Sequence, residues 1–64
     1  MQIADRIQQL RKQQGYSQEE LADKIGVSRQ AVSKWENGTA DPTTTNLFAL
    51  ARLYGVAPQD LLKE

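Results

Sequence analysis

Cysteine and histidine are both missing from this 64-residue chain. Without cysteine, neither a disulfide nor a thiolate metal site can staple a small fold. Without histidine, the commonest catalytic base and metal ligand is gone. Aromatic residues are scarce. Tyr16, Trp35, Phe48 and Tyr54 are all there are, and they are not interleaved with basic residues as a platform for stacked bases would require. The glycines stand singly rather than in a phosphate-cradling loop. Apolar runs are far too short to span a bilayer, and the N-terminus carries no signal-peptide pattern. These absences lead us to expect a soluble, cytoplasmic chain without metal or cofactor. At this length, one domain over residues 1–64 with one small core lies near the lower limit for unaided folding.

Net charge is also lacking, because eight basic and eight acidic residues cancel. The distribution is uneven. Arg6, Arg11 and Lys12 oppose only Asp5 in the first quarter, while Glu19, Glu20 and Asp23 outnumber Lys24 in the next stretch. Paired Glu19-Glu20 has no partner at metal-ligand spacing and fits the preference of helix N-termini for negative charge. Ser33-Lys34 lacks any oxyanion-donor signature. Nothing in the chain points to catalysis.

What is present is a succession of helices. Ile3, Ile7 and Leu10 recur at the spacing of a buried helical stripe over residues 2–14, and Gly15 ends it. Ser17 followed by Glu20 is a capping box for a second helix, whose inner face is Leu21, Ala22 and Ile25 and whose stop is Gly26. Ser28 caps a third helix running to about Glu36 before Asn37-Gly38. A loop through Asp41-Pro42 leads to a fourth helix, capped by Thr43 or Thr44, that buries Leu47, Leu50, Ala51 and Tyr54 and stops at Gly55. Pro58 opens a short fifth helix through Leu61 and Leu62. No period-2 run of β-branched residues exists, so the class is all-α. The expected core is Ile7, Leu10, Leu21, Ala22, Ile25, Val32, Trp35, Leu47, Leu50, Ala51 and Leu61. Phe48 and Leu53 lie off the main stripe of the fourth helix, which leaves one of them exposed for a dimer contact.

Residues 18–37 form the motif that carries function. A helix, a glycine turn and a second helix follow one another, with Ala22 where the helices must approach closely and Val27 and Val32 pointing inward. At roughly 100° per residue, Arg29, Gln30, Ser33, Lys34 and Asn37 share an arc of about 140° on the third helix, with Ala31, Val32 and Trp35 opposite. Arginine pairs with guanine O6 and N7, and glutamine with adenine N6 and N7. This is the layout of a helix-turn-helix, which lays its second helix in the major groove of double-stranded DNA. Arg29, Gln30, Ser33 and Lys34 are the candidate base readers. A merely solvated polar face is the alternative.

The motif resembles the repressor/Cro family of bacterial and phage transcription regulators, and the likeness extends over essentially the whole chain. The resemblance implies a five-helix, lambda-repressor-like domain and a transcription regulator, most simply a repressor. It implies phosphate and backbone contacts from Gln18, Ser28, Asn37 and Thr43, although Asn37 reads equally as a turn residue and Thr43 as a cap. It further implies a partly buried ion pair between Arg11 and Glu36, against the alternative of two solvated charges. Such a regulator acts as a homodimer on a palindromic operator. Val56, Pro58, Leu61 and Leu62 supply the expected dimer contact, with more apolar area than one small core needs. An antitoxin controlling its own operon, with a toxin as partner, and a protein-interaction module that keeps the fold without DNA binding are the alternative functions.

Overall fold

The computed structural model describes residues 3–61. They form five helices: α1 (Ile3–Gln14), α2 (Gln18–Ile25), α3 (Arg29–Glu36), α4 (Thr44–Tyr54) and α5 (Pro58–Leu61), with no strand among the described residues. Side-chain chemistry sets the boundaries. At α2, Ser17 Oγ accepts the Glu20 N–H at 3.0 Å while Glu20 Oε1 accepts the Ser17 N–H at 2.8 Å. Both hydrogen bonds satisfy donors that the first turn of a helix cannot pair internally. They also favour the ionised carboxylate, so the Glu20 pKa lies below its usual value. Ser28 Oγ caps α3 by accepting the Ala31 N–H, and Thr43 Oγ1 caps α4 by accepting the Asn46 N–H. Thr43, not Thr44, is therefore the cap.

Each helix contributes to one core. Ile7 and Leu10 come from α1, Leu21 and Ala22 from α2, Val32 and Trp35 from α3, Leu50, Ala51 and Tyr54 from α4, and Leu61 from α5. Two expected core residues lie at its margin instead. Ile25 and Leu47 are only half-buried, since each sits near the end of its helix where fewer neighbours close over it. Ile25 borders an open cleft of about 340 Å³ with Lys24, Ala49, Arg52 and Leu53. Of the two residues off the α4 stripe, Phe48 is the exposed one, at 50%.

A four-residue helix has no stability of its own. α5 is held by Leu61, which is wholly buried, and by Arg6 Nε, which donates to the Asp60 carbonyl at 3.4 Å. That burial corrects one expectation. Leu61 belongs to the core and offers no surface to a second chain, because α5 turns it inward where α5 packs on α1 and α4. Val56 and Pro58 are half-buried, and Leu62 lies outside the described residues.

Candidate nucleic-acid interface

The site begins with the turn between α2 and α3. Gly26 adopts a left-handed conformation at φ +78°, where an L side chain is disfavoured. Its N–H and that of Val27 both donate to the Ala22 carbonyl, at 2.8 and 2.9 Å, closing the end of α2. Ala22, 1% exposed, lies within the packing of α2 on α3, where a larger side chain would force the helices apart. Val32 and Trp35 fix the inner face of α3 in the core.

The outer face of α3 is correspondingly presented to solvent. Arg29, Gln30 and Lys34 are exposed and Ser33 is half-buried. None of the four side chains takes part in a hydrogen bond or ion pair among the described residues. Their donors are therefore free to meet a ligand, while the helix that carries them is fixed from behind. Glu36 does not cancel this positive face, because its carboxylate is turned inward onto Arg11.

Arg11 and Glu36 tie α1 to α3. Arg11 Nε donates to Glu36 Oε2 at 2.7 Å and Nη2 donates to Glu36 Oε1 at 3.1 Å, a bidentate pair. The side chains are only 11% and 3% exposed, so these are not two solvated charges. Arg11 Nη1 also donates to the Tyr16 carbonyl at 2.8 Å. Hydrogen bonding to Glu36 raises the Arg11 pKa, outweighing the opposite effect of burial. Close by, the Tyr54 hydroxyl is buried without a hydrogen-bond partner among the described residues. Burial, with the Glu36 charge second, pushes its pKa well above the usual tyrosine range.

The candidate backbone-contact residues are more constrained than the sequence suggests. Ser28 and Thr43 accept backbone N–H groups as caps, yet each hydroxyl keeps its own hydrogen to donate. Asn37 closes the end of α3, and its Oδ1 accepts the Thr39 N–H at 2.9 Å, leaving its NH₂ group without a hydrogen-bond partner among the described residues. Gln18 is half-buried, and its Nε2 donates to Glu36 Oε1 at 3.1 Å. That link and the orphaned Tyr54 hydroxyl are features that sequence reasoning missed. Both arise where helices cross, and no local spacing signals them.

The Helix-turn-helix family model matches residues 7–61. The chain belongs to this family. Among individual relatives, it is 39% identical to the SPbeta prophage-derived regulator YonR of Bacillus subtilis, over 95% of this chain and 56% of that protein. It is 37% identical to the transcriptional activator BcrR of Enterococcus faecalis, over 97% of this chain and 30% of that protein. The chain thus spans between about a third and just over half the length of these curated relatives. The crystal structure of the c2 repressor of Salmonella phage P22, in complex with a synthetic operator, superimposes with a TM-score of 0.93 at 35% identity, covering 98% of this chain and 96% of that one. The five-helix fold is accordingly the lambda-repressor-like one, and its family is one of transcription regulators of the Cro/C2 type rather than of enzymes. Among the described residues, no helix is long and apolar enough to cross a membrane, and no cluster of acidic residues could hold a metal ion.

Proposed function

We propose that this chain is the DNA-reading domain of a sequence-specific transcription regulator that lays α3 in the major groove. The observation that carries this reading is the outer face of α3, with four polar side chains unpartnered on a helix locked from behind by Val32 and Trp35. Arg29 and Gln30 stand at its N-terminal end, the part of a recognition helix that reaches base edges. Arg29 reads guanine and Gln30 adenine, and Ser33 and Lys34 take neighbouring base edges. Gln18, Ser28, Asn37 and Thr43 each keep a spare donor for phosphate oxygens and set the register.

Assembly follows from dimensions. The longest extent of the fold is 25 Å, and successive major grooves on one DNA face lie roughly 34 Å apart. One copy reads one groove, and a palindromic operator takes two copies related by a two-fold axis. Val56 and Pro58 are the described part of the dimer contact. With zero formal charge, bulk electrostatic attraction to DNA is modest, so base contacts and pairing carry more of the affinity. We place the protein in the cytoplasm with its operator. Repression is the simplest outcome, since occupying an operator that overlaps a promoter blocks access by exclusion alone. The name of BcrR, an activator, shows that relatives differ in this respect. Selection from a random duplex pool at low salt tests the reading. It should enrich a palindrome with half-site centres roughly 34 Å apart, bound by two chains. No enrichment, or an asymmetric site bound by one chain, would contradict it.

A further inference from the structure

We infer that the Arg11–Glu36 pair is a positioning device for DNA contact as well as a tie within the fold, holding the Gln18 amide ready for a phosphate. This rests on the proposed DNA-reading function. Gln18 is the first residue of α2, where backbone N–H groups and the positive end of the helix dipole already favour an anion. A free glutamine side chain loses considerable rotamer entropy when it is immobilised on a ligand. Here one of its two amide hydrogens is committed to Glu36 Oε1 at 3.1 Å, which fixes the NH₂ group and leaves the second hydrogen to donate. Much of that ordering is therefore complete before DNA arrives.

The same ion pair steers α2 by a second route. Arg11 Nη1 holds the Tyr16 carbonyl at 2.8 Å, two residues before Gln18, and so fixes the chain where it enters α2. Glu36 is the last residue of α3. One bidentate pair thus sets the start of the phosphate-facing helix relative to the end of the base-reading helix. It also solves an electrostatic problem. A carboxylate is the acceptor that orients Gln18, yet a bare carboxylate beside a phosphate would repel it. Arg11 neutralises Glu36 through contacts of 2.7 and 3.1 Å and leaves the pair with no net charge.

A purely structural pair and a positioning pair differ in one respect. Arg11→Met/Glu36→Met replaces the pair by apolar side chains of similar size, which preserves folding far better than either change alone and leaves the net charge unaltered. Affinity is measured on the duplex enriched from the random pool, in the full chain, with Gln18→Ala introduced into both backgrounds. Gln18→Ala should weaken wild-type binding about tenfold, as loss of a hydrogen bond to a charged group does. The apolar pair should show a similar loss although folded, and adding Gln18→Ala to it should cost nothing further. Replacing single operator phosphates by neutral methylphosphonates should locate both losses at the same phosphate. Wild-type affinity in the apolar pair, or an equal Gln18→Ala cost in both backgrounds, would overturn the inference while leaving DNA reading intact. Side-chain amide ¹⁵N relaxation of the free wild-type protein gives a test that needs no variant. Gln18 should be rigid where the exposed Gln13 is mobile, and equal mobility would also overturn the inference.

Discussion

Replacing Arg11 with methionine leaves the Glu36 carboxylate, 3% exposed, with the Gln18 amide as its remaining side-chain donor. The Tyr16 carbonyl loses its arginine donor at the same time. Breaking a buried pair in this way costs about 3–5 kcal/mol, because the surviving charge keeps its desolvation penalty without its partner. The burial of both side chains means that solvent screening does little to reduce this figure. A domain of this size has a total stability on the order of 3–10 kcal/mol, so the loss approaches the whole of it. The melting temperature should fall by at least about 12 °C, at roughly 4 °C or more for each kcal/mol. Glu36→Met should be similarly damaging, since it strands a guanidinium that is only 11% exposed. The double replacement should recover to within about 2 kcal/mol of the parent, because no charge then remains buried. Urea titration with a constant m-value provides the measurement, arranged as a double-mutant cycle. If the two single losses simply add in the double variant, the energetic account of this pair is wrong.

Other outcomes follow from the same geometry. Gly26→Ala should cost about 1–2 kcal/mol of backbone strain and no more, since a Cβ built there meets nothing within 4 Å; a much larger loss in urea titration would reveal a contact that the structure lacks. Tyr54→Phe should be neutral or stabilising within about 1 kcal/mol, because the hydroxyl it removes is buried and unpartnered. Burial raises the folded-state pKa of Tyr54 above the ordinary value of 10.0, so its contribution is complete below that pH and is lost as pH rises beyond it; the phenylalanine variant should lose that alkaline decline, which thermal melts at successive pH values will show. Glu20 behaves in the opposite sense. Its folded pKa is depressed below 4.5, so the capping box stabilises above that pH and is lost as pH falls through the folded value; Glu20→Gln should flatten this acid limb in the same melts.

The helix boundaries were legible because single residues set them by local chemistry. Ser17 with Glu20, Ser28 before Arg29, and the left-handed Gly26 and Gly55 each act within a few residues of the chain. The alternation of faces on α3 was legible for the same reason, since a turn of roughly 100° per residue sets Val32 and Trp35 on the side away from Arg29 and Gln30. Burial at helix ends was not. Ile25 and Leu47 carry core side chains, and only the lengths and crossings of neighbouring helices leave them half-covered. The sequence pattern suits Leu61 to both core and contact surface, because counting apolar residues cannot say which way a four-residue helix turns. The sequence marks Gln18 only as a phosphate contact. Its bond to Glu36 spans 18 residues and depends on how α2 crosses α3, which the sequence pattern does not encode locally.

Affinity of Arg29→Ala and Gln30→Ala on the selected operator and on random duplex, at one fixed salt concentration, tests the central claim most directly. Both side chains are exposed and unpartnered, so their removal should leave the fold intact. Each variant should lose about 1–3 kcal/mol on the operator, relax the preference at one or two base pairs, and bind random duplex nearly as the parent does. Equal losses on operator and random duplex for both variants would show that this face holds phosphates and does not read bases.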